Sequence, residues 1–139
     1  MATQTPQIVI GIPVYNGGHL LAETIESILN QTFSDFRLII SDNASTDSTE
    51  AICLNYASQD NRINYIRQPE NLGMAANFNF VFQPEGAPYF KWAAHDDIIK
   101  PDYLRRCIEQ LDNNPSLALA HSPTLRIDED GNELGIYRD

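Results

Sequence analysis

Short apolar runs alternate with amphipathic stretches along almost the whole chain. Ile8-Val9-Ile10-Gly11-Ile12 is continuous, apolar and rich in β-branched residues, the pattern of a strand covered on both faces. Pro13 ends it, and Asn16-Gly17-Gly18 supplies turn chemistry. Leu21, Ile25, Ile28 and Leu29 then recur at helical spacing as one stripe. Residues 36–40 predict a second strand. Asp47-Ser48-Thr49-Glu50 opens a second helix with capping-box character, running to about Ser58 with Ile52, Tyr56 and Ala57 inward. Residues 63–67 predict a third strand, and Asn71-Leu72-Gly73 opens a third helix that presents Met74, Phe78, Val81 and Phe82. A buried strand over 89–94 precedes a fourth helix, from Pro101 or Asp102 to about Asn113, with proline near the first turn where it is welcome. Residues 117–121 predict a fifth strand, and 124–136 a hairpin turning at Asp130-Gly131.

The order βαβαβαβαβ followed by a hairpin predicts an α/β fold. A mostly parallel sheet with helices on both faces and right-handed crossovers would end in a C-terminal β-hairpin. No repeat, low-complexity segment or linker divides the 139 residues, so a single domain over 1–139 is expected. The last residues follow a hairpin strand with no covering helix. A domain truncated at its C-terminus is therefore expected, and with it an open sheet edge, exposed apolar surface and self-association.

Charge narrows the partners. Nineteen acidic against nine basic side chains give a formal net charge of −10. That argues against nucleic-acid or anionic-membrane binding through basic patches of this chain, and leaves any place at the inner face of a membrane to other parts. A phosphorylated ligand would have to be received by a cation or by backbone amides. Cys53 and Cys107 have neither metal nor redox spacing and read as buried thiols. Residues 1–7 carry no signal pattern, and no apolar run approaches the ~20 residues of a membrane span, so a cytoplasmic location is expected.

The candidate chemistry gathers where strands end, which is where open α/β sheets bind ligands. After the first strand, Pro13-Val14-Tyr15-Asn16-Gly17-Gly18 lacks both G-x-G-x-x-G and the Walker lysine, so it is neither a dinucleotide fingerprint nor a P-loop. After the second comes the polar crest Asp42-Asn43-Ala44-Ser45-Thr46-Asp47. Ser45, Thr46 and Asp47 read as helix caps, while Asp42 lies upstream of any cap and can accept the imide N–H of a pyrimidine. After the fourth, the apolar run stops at His95-Asp96-Asp97. Adjacent carboxylates repel, and a hard cation that also holds phosphate oxygens would relieve them. A solvated helix-entry loop is the bland reading of the same pair. His95 reads as an exposed or indirect group, and Trp92, Phe78, Phe80 and Phe82 as core.

Five segments in order resemble the inverting family 2 glycosyltransferases, which have the GT-A nucleotide-sugar-binding fold. They are residues 8–16 (IVIGIPVYN), 24–33 (TIESILNQTF), 38–47 (LIISDNASTD), 71–77 (NLGMAAN), and His95-Asp96-Asp97 with Pro101-Asp102 behind. The resemblance covers nearly the whole chain and the nucleotide-binding half of a complete enzyme. It implies that Pro13, Val14, Tyr15 and Asn16 line the nucleotide pocket, with Tyr15 against the base, and that Asp42 accepts from uracil. Asn71, Gly73 and Asn77 match the segment that shapes the diphosphate and sugar side. Asp96 would be the last carboxylate of the family's D-x-D motif, binding Mn²⁺ or Mg²⁺ and through it the diphosphate. The sequence departs at Ala94, where the family has its first Asp, a ribose contact; Asp97 or a backbone group is left for that role. The family's general base lies in a later segment, so it is expected beyond Asp139, and Asp128, Glu129 and Asp130 read as a solvated turn. The implied partners are a nucleotide-sugar donor, UDP-linked or other, and a saccharide, lipid-linked or protein acceptor. A nucleotidyltransferase on a related sheet and a non-catalytic nucleotide-binding module are the alternatives.

Overall fold

The structure, a computed structural model, describes residues 5–137. In chain order its elements are β1 (Ile8–Val14), α1 (Leu20–Leu29), β2 (Phe36–Asp42), α2 (Thr49–Gln59), β3 (Ile63–Arg67), α3 (Met74–Phe80), β4 (Tyr89–Trp92), α4 (Tyr103–Asn113), β5 (Thr124–Ile127) and β6 (Glu133–Tyr137). The first four strands form a parallel sheet in the order β3-β2-β1-β4, and β5 and β6 form a separate antiparallel hairpin. The chain divides into two compact units, Met1–Pro101 and Asp102–Asp139. The α/β architecture with flanking helices and a terminal hairpin is the one that the hydrophobic pattern predicts.

In the first unit every residue of β1 is buried, as its unbroken apolar run requires of a strand with neighbours on both sides. Its pleat sends Val9, Gly11 and Pro13 to one face of the sheet and Ile8, Ile10, Ile12 and Val14 to the other. On the first face Val9 packs with Ile39 and with Val81, which caps α3. A Cβ added at Gly11 would stand 2.8 Å from Val81 Cγ2 and 2.9 Å from its Cβ, so glycine here lets α3 approach the sheet. Helix α1 buries Leu21, Thr24, Ile25 and Ile28, one helical stripe with a polar member.

Four sequence expectations change. Helix α2 begins at Thr49, with Ser48 as its N-cap, so its fully buried face is Thr49 and Cys53; Ile52, Tyr56 and Ala57 are half-buried. Burial, with the charges of Asp42 and Asp47, pushes the Cys53 thiol up to about 12, which makes it inert. Strand β4 is shorter than residues 89–94 and none of its side chains is fully buried, because it lies at the sheet margin and pairs only with β1. The aromatics expected in the core accordingly crowd that margin. Phe82 stacks on Trp92 at 5.4 Å, Phe90 meets both edge-on, and Phe82, Trp92 and Phe78 stay exposed. Of helix α3, the side chain that is buried is Asn77, not the expected Met74 or Phe78.

The fourth change lies in the second unit. Residues 117–121 form no strand, and Leu119 is exposed. An apolar run becomes a strand only where a neighbour receives its N–H and C=O groups, and no described segment does so there. The hairpin forms as expected. The carboxylate of Asp128 accepts the amides of Asp130 at 3.0 Å and Asn132 at 2.8 Å, and Gly131 takes a positive φ of 82°. These bonds hold the Asp128 carboxyl below the usual carboxylate range, Asn132 contributing most.

Gly11→Ala should destabilise the protein by ~1–3 kcal/mol through overpacking against Val81. In the Gly11→Ala/Val81→Ala double variant much of that loss should return. Melting curves of the three variants check this; independent, additive losses would mean that the close approach of Gly11 and Val81 is not what the glycine serves.

Candidate functional site

Because β1 to β4 run parallel, the loops that follow them leave the sheet along one edge, in the lateral order β3, β2, β1, β4. Neighbouring strands lie about 4.8 Å apart, so the four ends span about 14 Å. An extended ligand laid over this edge can touch all four loops.

The loops after β1 and β2 are fastened together. Asn43 N–H donates to the Val14 carbonyl at 2.8 Å, Asn16 N–H to Ser45 Oγ at 2.9 Å and Gly17 N–H to Thr49 Oγ1 at 2.9 Å. Gly18 N–H donates to Asp47 Oδ2 at 2.9 Å, and Thr46 N–H returns a bond to Asn16 Oδ1 at 2.8 Å. Asn16 has a left-handed φ of 53°, which asparagine tolerates, and Gly18 one of 54°. Ser45 and Asp47, expected as helix caps, instead join Thr49 in receiving the amides of the neighbouring loop, while Ser48 is the N-cap. Burial would raise the Asp47 carboxyl, but the Thr49 hydroxyl and amide and the Gly18 amide outweigh it and hold it below the usual range.

Asp42 closes β2 with its side chain fully buried. Its Oδ1 accepts Ser45 N–H at 2.8 Å; its Oδ2 accepts the Tyr65 hydroxyl at 2.9 Å and Arg67 Nη1 at 2.8 Å. Three of roughly four acceptor positions on the carboxylate are in use. Burial and the hydrogen bond to Asp42 push the Tyr65 hydroxyl far up, so it stays a donor. Arg67 also donates from Nη2 to the Ser45 carbonyl at 3.0 Å and lies 3.7 Å from Glu50. Register explains the grouping: Asp42 pairs with Arg67 and Ile40 with Tyr65, so the pleat puts all three polar groups on one face.

On the opposite face Ser41 Oγ donates to Asn77 Oδ1 at 2.6 Å, and Asn77 Nδ2 donates to the Ser41 carbonyl at 3.0 Å. Asn77 is thus a buried tie between β2 and α3. Asn43 Nδ2 donates to Asn71 Oδ1 at 2.9 Å, and Leu72 N–H to Asn43 Oδ1 at 2.8 Å, which ties the loop after β3 to the crest. Gly73 has φ of 84° and nothing within 4 Å of where a Cβ would stand.

The segment after β4 lies along α1. Thr24 Oγ1 donates to the His95 carbonyl at 2.8 Å, Ile99 N–H to Ser27 Oγ at 3.3 Å, Gln31 Nε2 to the Lys100 carbonyl at 2.8 Å and Thr32 N–H to the Pro101 carbonyl at 2.9 Å. Thr24 and Gln31 are buried, so a rigid helix positions this loop. His95 packs its ring against Gly17, where a Cβ would come within 3.3 Å of Cδ2. Asp96 and Asp97 are exposed, and neither carboxylate has a partner among the described residues. No three His, Cys, Asp or Glu side chains among the described residues cluster as a metal cage. Two such carboxylates could hold a hard cation only if a phosphate and water supplied its remaining ligands, the usual manner of Mg²⁺.

Of the residues proposed from sequence, Tyr15, Asn16, Asn71, Gly73, Asp96 and Asp97 are solvent-accessible along the loop edge, while Pro13, Val14, Asp42 and Asn77 are buried beneath it. Sequence reasoning passed over Arg67, Tyr65, Thr24 and Ser41. The alternation Ile63, Tyr65, Arg67, ending on a cation beside the end of β2, was the available signal for two of them.

The sequence model of the family described as Glycosyl transferase family 2 matches residues 9–136. An uncharacterized glycosyltransferase of Rickettsia typhi is 35% identical over 114 residues, covering 80% of this chain and 35% of that protein. Staphylococcus aureus TarS, solved as residues 1–349 with UDP-GlcNAc, superposes with a TM-score of 0.70 at 21% identity, covering 77% of this chain and 31% of that one. The mannosyltransferase PcManGT of Pyrobaculum calidifontis, solved with GDP-Man and Mn²⁺, gives 0.72 at 21% identity, covering 83% and 34%. The chain thus spans about a third of the length of each of these proteins.

Acid should loosen the fastened loops. A carboxyl held low in the folded state stabilises fully above its unfolded value of about 3.9, and that contribution is lost as pH falls through the folded value. Asp47→Asn should therefore melt lower than the parent at pH 7 and lose less on going from about pH 5 to pH 3. Equal losses in the two proteins, followed by thermal denaturation, would show that Asp47 does not carry this dependence.

Proposed function

The chain belongs to glycosyl transferase family 2, and from that membership we propose that the loop edge is the donor site of an inverting, metal-assisted enzyme. It would transfer a sugar from a nucleotide-sugar, a UDP-sugar first, to a saccharide, lipid-linked or protein acceptor. The observation that best supports this reading is the pair Asp96 and Asp97, exposed and without a carboxylate partner among the described residues in the loop after β4, at one side of a row of strand ends about 14 Å wide whose other loops are tied together. The complexes of TarS with UDP-GlcNAc and of PcManGT with GDP-Man and Mn²⁺ agree with a donor of this class.

In this reading Asp96, with Asp97 beside it, holds Mn²⁺ or Mg²⁺, which supplies a Lewis acid for charge developing on the leaving phosphate oxygen. Asn71 and Gly73 border the diphosphate and sugar. Gly73, unhindered where a side chain would stand, leaves backbone open to approach. Tyr15, half its surface free, offers a ring to the base, with Pro13, Val14 and Asn16 shaping the loop beneath. Asp42 serves the base end from below, and Asn77 supports the sugar side by holding α3 to β2. The base that deprotonates the acceptor is proposed to lie beyond Asp139, in the later segment where the family has it, and the Asp128 carboxylate is committed to the Asp130 and Asn132 amides. A cytoplasmic location, and self-association of the chain through apolar hairpin residues such as Leu134 and Ile136, belong to the same reading.

Asp96→Ala should abolish the Mn²⁺-dependent part of UDP binding in calorimetry while the melting curve stays unchanged, because the residue is exposed and unpartnered. Asp97→Ala should lose less. Metal-linked affinity that survives in Asp96→Ala would remove this residue from the metal site.

Asp42→Ala should weaken UDP by about tenfold or more, the size of one charge-assisted hydrogen bond to the base lost either directly or through Arg67, with little effect on inorganic diphosphate. Equal weakening of both ligands would place Asp42 outside base recognition. The 139-residue chain should bind donor yet transfer its sugar poorly, since positioning of the acceptor and its base would be lacking. Robust acceptor-dependent turnover, measured as released UDP, would contradict that.

A further inference from the structure

Arg67 reaches the loop edge at the strand end farthest from the Asp96–Asp97 pair. The sheet order β3-β2-β1-β4 puts three strand intervals, about 14 Å, between the ends of β3 and β4, and the pair follows the last residue of β4, Trp92, by four and five positions. A nucleoside diphosphate anchored through its phosphates at the carboxylate pair would bring the far side of its base to the end of β3. The Arg67 side chain is about one-third exposed, while the Asp42 carboxylate beneath it has no exposure. Of its five N–H groups, one is spent on Asp42 Oδ2 at 2.8 Å and one on the Ser45 carbonyl at 3.0 Å, with the Tyr65 hydroxyl beside it and Glu50 at 3.7 Å from Nη1. Both partners are fixed in turn, Asp42 by Ser45 N–H and the Tyr65 hydroxyl, Ser45 by the amide of Asn16. The guanidinium is thus a planar donor held in one orientation, with N–H groups to spare at the edge.

Resting on the donor-site reading above, we infer that Arg67 is the specificity-determining residue for the base. It donates to the keto oxygen farthest from the ribose, and Asp42 acts as its buried anchor rather than as the direct reader. A guanidinium has no acceptor, so an exocyclic amine at the same place meets donor with donor. The site then takes a keto base, uracil foremost, and discriminates against cytosine. Asp42 gives specificity only through Arg67, and is a positioning residue.

UDP and CDP share the diphosphate, so the ratio of their affinities, measured by calorimetry with Mn²⁺ present, isolates the base. The parent should prefer UDP by about tenfold or more, as expected for one charge-assisted hydrogen bond. In Arg67→Met, with Asp42 intact, the ratio should fall to within about twofold of unity while affinity for inorganic diphosphate holds. A UDP preference kept in Arg67→Met overturns the inference and returns base reading to Asp42. The parent protein provides a measurement independent of any variant's folding. The diphosphate of 4-thiouridine keeps the ring N–H but replaces the keto oxygen with a poor acceptor, so it should bind several-fold more weakly than UDP. Equal binding of the two overturns the inference while leaving the donor site standing. A parent that binds neither UDP nor CDP fails the donor-site reading and the inference with it.

Discussion

A carboxylate sealed from water governs the upper edge of this sheet. Asp42 lies at the end of a strand whose last five residues are all buried, and an unpaired charge there would be strongly unfavourable. Its neighbours answer each part of that cost: an amide from the crest, a hydroxyl from β3 and the cation of Arg67. Because the Arg67 fork also grips the Ser45 carbonyl, satisfying Asp42 fixes the crest as well. Removing one partner would leave the others charged or polar in a site closed to solvent, which is far more damaging than never having built the pair.

From that point order spreads sideways. The crest held by Asp42 supplies Ser45, Asp47 and Thr49 as acceptors for three successive amides of the loop after β1, and Asn43 reaches the loop after β3. On the far side, Thr24 and Gln31 of α1 hold the segment that carries Asp96 and Asp97. Loops with this many internal partners lose little freedom when a ligand arrives, which is what preorganised binding requires. The Asp96 and Asp97 carboxylates have no partner among the described residues, and they are groups with much to gain from a cation.

The margin at β4 is built differently. Phe82, Phe90 and Trp92 stack on one another, with two of the three exposed. Their contacts are local, and the sheet has no further strand there among the described residues. The aromatic composition of this stretch reads as core because aromatic side chains usually serve that purpose; at a margin with one neighbour, the same residues half-cover each other instead.

Periodicity alone determined the α/β class, all ten observed elements and their order, because the choice between a run covered on two faces and a one-sided stripe is made locally by residues a few positions apart. It also marked the strand-end loops, since Asn, Gly, Ser and Asp interrupt apolar runs only where backbone must turn. The sequence pattern also suggested a strand at 117–121, which did not form, because pairing depends on a neighbour that no local window contains. Nor could spacing reveal that Asp42 would be buried and Asn77 would be a tie, or that Arg67 and Tyr65 would meet a carboxylate more than twenty residues away. Those outcomes follow from register: Leu38 opposite Ile63 carries Asp42 opposite Arg67, and a slip of one residue would have turned the cation to the other face. Which strand lies beside which, and in what register, is decided only when the sheet assembles, and the charges at its edge are sorted by that decision.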